Sequence, residues 1–355
     1  MRKIAADSYP IFFGNDSFEE LNKYVKINNP SKVVVILDTN TSANCLEYFL
    51  AKMENSIHFI TTVILEGEEH KNIATCIKLW QFLSDNHIDR HALVINLGGG
   101  TITDIGGFVA STHLRGIGYI NIPTSLLAMV DASVGGKTGV DFNGLKNQIG
   151  VIKSPEMVLI DIHFLKTLPQ NEFNSGIAEI LKHGLIASKP YWEVITDKPL
   201  TISNDIENII YESVVIKNEI VQQDQHENGV RKLLNFGHTL GHAIESHFLS
   251  SNNKILHGEA IAIGMCLAGY ISHKMLNFPK EELEQINRSY QQYFFKKAFE
   301  NDAIENIIAL MKYDKKNSGG KSQFVLLKKI GEPKIDCIVS QELLFEAFEY
   351  YQTAF

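Results

Sequence analysis

Apolar and polar positions follow two different rhythms along this chain, and the rhythm changes near residues 165 to 170. Upstream, short β-branched runs recur at residues 32–38, 57–64, 92–97, 119–122 and 157–161. Some are almost continuous in apolar side chains, as strands buried on both faces are. Between them, residues 44–54 and 72–86 carry helical spacing. This βαβ alternation predicts a parallel sheet covered by helices, a Rossmann-like α/β domain. From Leu168-Pro169 onward the apolar positions recur at helical period, over 177–186, 206–221, 239–248, 259–274 and 281–299. One strand pair, 323–327 and 334–338 around Gly331-Glu-Pro333, interrupts them. The expectation is an α/β domain over residues 1–167 followed by a mainly α-helical domain over 168–355.

Composition agrees with that division. At 355 residues the chain exceeds one ordinary core, and 45% apolar with 21% charged residues is usual for a globular protein. A net charge of -8 offers no general attraction to nucleic acid or anionic lipid, so a basic cluster here serves a local anion. Cys45, Cys76, Cys266 and Cys337 lie far apart with no CxxC pair, which fits reduced thiols and a cytoplasmic protein. The N-terminus turns polar at once, and the longest apolar run, 260–271, is short and broken by glycine. Neither a targeting segment nor a membrane span is expected.

Candidate chemistry concentrates in Asn235-Phe-Gly-His238-Thr-Leu-Gly-His242-Ala-Ile-Glu245 and, after a polar loop, His257-Gly-Glu259. Imidazoles and carboxylates this close together suit a divalent metal. His238 and His242, four apart, project from one helical face. On the predicted helix 177–186, Glu179, Lys182 and His183 also share a face. A Glu/Lys pair of that spacing is ordinarily a solvated salt bridge, but here it lies among Ala178, Ile180 and Leu181, which makes Glu179 a candidate ligand. Two histidines and one carboxylate leave positions open for substrate oxygens, as a catalytic site requires. Spacing leaves open which two imidazoles would take part.

The first domain carries glycine-rich motifs. Asn96-Leu-Gly98-Gly99-Gly100-Thr-Ile-Thr-Asp104 follows a strand and leads into a helix, so backbone amides can approach a pyrophosphate, although the spacing is not GxGxxG. Glu66-Gly-Glu68-Glu-His-Lys71 follows another strand and reads either as a ribose contact or as a charged surface turn. Asp131-Ala-Ser-Val-Gly135-Gly136-Lys137-Thr138 ends like a triphosphate-binding loop. However, Asp131 stands where that loop needs its first glycine, and residues 126–130 look helical, which argues against one. Lys137 still suits an anion beside exposed amides, and Lys146-Asn147 is a second such lysine, expected in a loop.

Taken in order, Gly98-Gly-Gly-Thr-Ile-Thr-Asp104, Ala110-Ser-Thr-His-Leu-Arg115-Gly116, the stretch Pro123 to Gly139, Lys146-Asn147, Phe164-Leu-Lys-Thr167-Leu-Pro169, Ala178-Glu179-Ile-Leu-Lys182, Asn235-Phe-Gly-His238, Leu256-His257-Gly-Glu259 and Asp314-Lys315-Lys316 resemble the 3-dehydroquinate synthase family of sugar phosphate cyclases. The resemblance runs through most of the chain. It implies an NAD-binding first domain with Asp38, Glu68, Lys71, Gly99, Gly100, Asp104, Thr124, Ser125, Lys137, Lys146, Phe164 and Thr167 at the cofactor. It implies zinc, with cobalt as an alternative, on Glu179, His238 and His257. Proton transfer would fall to His242 and Glu227. Lys137, Asn147, Lys182, Lys217, Arg231, Asn235 and one of Lys315 and Lys316 would surround the substrate phosphate and carboxylate, with Asp131 in the same catalytic set. Arg115 would reach a phosphate site across a homodimer interface.

The implied reaction is a step of the shikimate pathway. 3-Deoxy-D-arabino-heptulosonate 7-phosphate becomes 3-dehydroquinate by transient oxidation, phosphate elimination, re-reduction and aldol closure, with NAD regenerated. A substrate with about three negative charges explains why an acidic protein embeds cations in these motifs. The chain departs from the family where Thr103 and Leu145 replace glycines, both expected in loops near the cofactor. The rival readings are a cyclase for another sugar phosphate, a metal-dependent NAD polyol dehydrogenase, which would need fewer cations, and a non-catalytic NAD-binding regulator.

Overall fold

The computed structural model describes residues 2–143, 145–249, 254–311 and 322–354. The chain divides into two compact units. One comprises Met1–Pro169 with Ile202–Asn218, the other Gln170–Thr201 with Glu219–Phe355. The passage out of the first unit thus comes after Pro169. The excursion 202–218, placed by its period in the helical half, groups with the first unit because its side chains answer the N-terminal strands. Arg2 Nη1 donates to Asn208 Oδ1 at 2.5 Å, and the Tyr211 ring meets Phe13 edge-on at 5.1 Å.

In the first unit, strands β1 (Arg2–Ala5) and β2 (Pro10–Phe13) lead into helix α1 (Ser17–Asn28). Strand β3 (Val33–Asp38) is followed by α2 (Thr39–Asn44), α3 (Leu46–Lys52), β4 (Phe59–Ile64) and α4 (Ile73–Asp85). Then come β5 (Leu93–Gly98), α5 (Gly100–Thr112), β6 (Gly118–Pro123), the pair β7 (Lys137–Phe142) and β8 (Leu145–Ile152), and β9 (Met157–Ile160). Seven strands form one sheet in the order β1-β2-β9-β6-β5-β3-β4, all parallel except β1. Val34, Ile36, Val94, Leu79, Ile105 and Val109 pack as one core between the sheet and its helices, which is why β3 and, apart from Asn96, β5 read as apolar runs.

The order places a topological switch between β3 and β5. The chain leaves β3 toward β4 on one side and continues from β5 toward β6 on the other. In open α/β sheets ligands bind outside the carboxyl ends of strands at such a point, and here those ends are Asp38 and Gly98.

The β7–β8 hairpin corrects an expectation. Lys146 and Asn147 lie on a strand and not in a loop, and Lys137 opens the partner strand. Gly139 and Gly150 face one another in its register, and a Cβ on either would lie 2.6 or 2.3 Å from a carbonyl oxygen of the opposite strand. Glycine at these two positions therefore allows close strand approach.

The second unit contains α6 (Gln170–Ala187), α7 (Lys189–Asp197) and the end of α8 (Asn204–Gln223), then α9 (His238–Leu249) and α10 (His257–Leu276). It closes with α11 (Lys280–Tyr293), α12 (Asn301–Leu310), the antiparallel pair β10 (Gln323–Lys329) and β11 (Glu332–Ile338), and α13 (Gln341–Ala354). Helix α10 is buried on nearly every face from Ala260 to Gly269 and packs against α6, α9, α11, α13 and β10, as a helix apolar all round must. The helix expected over 281–299 stops at Tyr293. Beyond it the Tyr290 hydroxyl donates to the Phe295 carbonyl at 2.7 Å and the Lys297 amide donates to the Tyr351 hydroxyl at 3.2 Å, bonds that hold the segment extended. Among the described residues no helix is long and apolar enough to cross a membrane, and the four cysteines are buried thiols.

Candidate metal centre and nucleotide crevice

Helix α6 carries Glu179, Lys182 and His183 on one face, and all three are buried, at 0, 1 and 0% exposure. A carboxylate out of water demands a partner. Neither oxygen of Glu179 accepts a hydrogen bond, and the Lys182 ammonium closes on Oε2 as an ion pair. The other oxygen, Oε1, faces His238 Nε2 at 3.5 Å and His257 Nε2 at 4.0 Å.

The two imidazoles reach that oxygen from the first residues of α9 and α10. Gly237, at φ +77°, turns the chain from a short 3-10 segment, Val230–Asn235, into α9. His238 Nδ1 lies 3.2 Å from the Phe236 carbonyl and His257 Nδ1 lies 3.0 Å from Glu245 Oε2. A carbonyl oxygen only accepts, and a carboxylate oxygen does the same, so each Nδ1 is a donor, and Nε2 is the nitrogen each ring turns to Glu179's side. His242 completes the group: ligand-capable atoms of His238, His242 and His257 lie within 4.8 Å of one another, with ring centroids of His242 at 5.1 and 5.8 Å from the other two. A buried carboxylate faced by the Nε2 atoms of two imidazoles is a donor set that fits a zinc-like divalent ion.

Other candidates in this unit sit in their own networks. Asn235 Nδ2 donates to Glu227 Oε1 at 2.5 Å. Arg231 is buried, and its Nη1 donates to the Gln225 carbonyl at 2.7 Å. Lys315 and Lys316, with Asp314, lie outside the described residues.

In the first unit, Gly99 and Gly100 stand at the switch point, where α5 presents the unpaired amides of its first turn. Asp38 caps α2, accepting from the Thr41 amide at 2.8 Å. The Thr124 amide donates to the Gly98 carbonyl at 3.0 Å, and Ser125 lies against Gly99. Phe164 is buried against Tyr48 and Phe18, and the Thr167 hydroxyl turns back to the Phe164 carbonyl at 3.5 Å.

Glu68 is the hub of a charge cluster and not part of a solvated surface turn. Its Oε1 meets Lys71 at 2.8 Å and Lys146 at 3.0 Å, while its Oε2 accepts from the Thr101 hydroxyl at 2.8 Å. Lys71, 4% exposed, also reaches Asp104 at 3.2 Å and Asp141 at 3.9 Å. Burial would raise Glu68, but Lys71 and Lys146 outweigh it and hold the carboxyl well below its ordinary range. Burial pushes Asp104 up to about 6, against the pull of Lys71 and with the repulsion of Glu68. Lys71 is raised above the usual lysine range because the surrounding carboxylates overcome its own desolvation.

Lys217 donates to the Asp131 carbonyl and, at 2.7 Å, to its carboxylate. The Asn147 amide donates to Asp141 Oδ1 at 2.8 Å. Lys137 and Arg115 are exposed, the latter in a corner where Leu114, Arg115 and Gly116 all have positive φ.

Two expectations about the departures change. Thr103 is in α5, 1% exposed, its hydroxyl donating to the Gly100 carbonyl at 3.1 Å, and Leu145 begins β8; neither position is a loop. Sequence reasoning counted Glu245 among the carboxylates of the metal-suited stretch but gave it no partner, although its place seven residues after His238 on the same helix face was a usable signal. Asp141 had no such signal, since its bonds to Asn147 and Lys71 depend on the hairpin.

Comparison with known proteins gives a consistent result. The family models for 3-dehydroquinate synthase match residues 61–175 with the N-terminal part and 176–317 with the C-terminal part. The 3-dehydroquinate synthases of Parabacteroides distasonis and Prochlorococcus marinus (strain AS9601) are each 39% identical to the chain, covering 96% of it and 97% of the relative in the first case, 94% and 93% in the second. Among solved structures, 2-epi-5-epi-valiolone synthase from Streptomyces hygroscopicus with NAD+ and Zn2+ bound superposes with a TM-score of 0.87 at 24% identity, covering 100% of this chain and 99% of that one. A 2-deoxy-scyllo-inosose synthase complexed with carbaglucose-6-phosphate, NAD+ and Co2+ gives 0.86 at 23% identity, covering 98% of each chain. These two share the fold.

Proposed function

The chain belongs to the 3-dehydroquinate synthase family, and on that premise we propose that it converts 3-deoxy-D-arabino-heptulosonate 7-phosphate to 3-dehydroquinate and inorganic phosphate. The observation that carries the reading is the buried Glu179 carboxylate, without hydrogen bonds and faced by His238 Nε2 and His257 Nε2, in a chain that matches the family over both halves. These three side chains would hold the divalent metal, zinc or cobalt. The crevice at the ends of β3 and β5, with Gly99, Gly100, Asp38, Glu68, Lys71, Asp104, Thr124, Ser125, Lys137, Lys146, Phe164 and Thr167, would hold NAD. When bound, the metal supplies Lewis acidity to substrate hydroxyls and the nucleotide a reversible hydride acceptor.

The chain's own groups account for binding and proton traffic. A ring nitrogen of His242, beside the other two imidazoles, takes and returns the hydroxyl proton. Glu227, held through Oε1 by Asn235, completes the polar network. Lys137, Lys182, Lys217 and Arg231, with Asn147, Asn235, Asp131 and one of Lys315 and Lys316, orient the phosphate and carboxylate, so that positive charge is local in a protein of net charge -8. The overall reaction expels one phosphate and changes no net oxidation state. In this reading the protein works in the cytoplasm as a homodimer to which Arg115 contributes.

The test is phosphate release from the heptulosonate phosphate by zinc-loaded protein with a catalytic amount of NAD, with the NADH absorbance followed in the same cuvette. Phosphate far in excess of NAD, without lasting NADH, is the expected outcome. NADH accumulating in step with product, without phosphate, would replace the reading with a metal-dependent dehydrogenase. Turnover confined to another sugar phosphate would keep the chemistry and change the substrate.

A further inference from the structure

We propose that Glu245 is a positioning residue of the metal centre, holding the His257 ring so that Nε2, and not Nδ1, faces the ion. The inference rests on reading Glu179, His238 and His257 as the ligand set. Glu245 is 5% exposed on α9, and its Oε2 lies 3.0 Å from His257 Nδ1. A carboxylate so buried is retained only where something compensates its desolvation, and the bond to His257 does so while serving the ring.

The two imidazoles differ in how they are held. His238 Nδ1 donates to the main-chain carbonyl of Phe236, an acceptor that no side-chain change removes. His257 depends on a side chain for the same service. It opens α10, and its side chain is 21% exposed, so packing alone does not immobilise the ring. With Glu245 in place, the Nδ1 proton is fixed, the ring cannot flip without losing the bond, and Nε2 stays directed at the side of Glu179. The carboxylate also makes the imidazole a more basic ligand, which an uncharged acceptor does only in part.

The experiment measures zinc dissociation constants by chelator competition, and the visible absorption of the cobalt-loaded protein, for wild type, Glu245→Gln, Glu245→Ala and His257→Ala. Glu245→Ala is expected to weaken zinc binding by about 10- to 100-fold and to alter the cobalt bands, because the ligand nitrogen and its angle are no longer fixed. Glu245→Gln, which keeps an acceptor oxygen and the volume, is expected to recover most of the affinity and a near wild-type spectrum, and the altered cobalt bands of Glu245→Ala are a change that a packing role remote from the ligand would not give. Wild-type affinity and spectrum in Glu245→Ala would overturn the proposal; so would a Glu245→Gln protein as impaired as Glu245→Ala. Tight zinc binding by His257→Ala would overturn the ligand set itself, a separate failure visible without any substrate.

Discussion

Replacing Gly258 with alanine should destabilise the protein and loosen its metal, although the same change in most helices does the reverse. Gly258 follows His257 in α10, and its amide donates to Ser175 Oγ of α6 at 2.9 Å. A Cβ at this position would lie 2.0 Å from the Ser175 carbonyl oxygen and 2.5 Å from its Cα. Relief to ordinary contact requires a shift of roughly 1.4 Å, and because the obstacle is backbone, one helix must move against the other. Helix propensity favours alanine by about 1 kcal/mol, whereas overpacking against a close-packed core costs about 1–3 kcal/mol or more. With backbone as the obstacle the upper end of that range applies, and the net expectation is a loss of about 2 kcal/mol, which at about 2–4 °C per kcal/mol for a domain of this size is a fall of several degrees in Tm. Since α6 carries Glu179 and α10 begins with His257, the same shift separates the proposed ligands. The zinc-induced rise in Tm, measured between chelator-treated and zinc-loaded samples, should therefore shrink. Gly269→Ala in the same helix is the control, because its Cβ would meet only the ends of Leu283 and Ile286 at 3.1 and 3.3 Å. A Gly258→Ala protein as stable as wild type, with an undiminished zinc response, would refute this account of the helix contact.

Further expectations concern the first unit. Lys71→Ala leaves Glu68, Asp104 and Asp141 without their shared cation and should cost about 3–5 kcal/mol in urea unfolding; an unchanged midpoint would show that the cluster is solvated. Asp104, raised to about 6 by burial, retains in the folded state a proton that the unfolded chain has released. Its contribution therefore makes stability fall as pH rises from about 4 to 6, whereas lowered Glu68 adds stability above about 4.5 that is lost on acidification. Asp104→Asn should accordingly flatten the decline between pH 4.5 and 6, and an identical slope in the variant would contradict the shift. Thr103→Gly, which supplies the glycine expected from the family resemblance, should cost about 1–2 kcal/mol of stability by adding backbone freedom and deleting buried atoms in α5. NAD binding, followed by protein fluorescence, should not tighten; tighter binding would mean that Thr103 obstructs the crevice.

Much of the fold was legible because burial leaves a periodic trace. Strands β3 and β5 are enclosed on both faces and so read as apolar runs, and the helices of the second unit show their period for the same reason. The β7–β8 hairpin was not legible, because Gly139, Asp141 and Gly150 are turn-forming residue types whose strand conformation depends on the partner strand. The excursion 202–218 was assigned by its helical period, which says nothing of the partner it packs on. Within the candidate site, Glu179 drew attention as a charged face set in apolar sequence, whereas the spacing of the histidines left open which two would bind, and only the resemblance named His238 and His257. Glu245 went without a specific partner because a carboxylate three residues from a histidine looks the same whether it faces solvent or an imidazole 12 residues further on.

By itself the sequence determined the division into an α/β and a helical part, the composition of the metal and anion motifs and, through their colinear order, the family. Those properties are local, written in residue type and period. Tertiary structure decided which atoms face which. It set the Nε2 atoms of His238 and His257 toward one oxygen of Glu179, gathered the charged segment after β4 around the buried Lys71, and required Gly258 where two helices touch. Such relations join residues distant in sequence, and they exist only once the chain has spent its conformational entropy on closing the intervening loops.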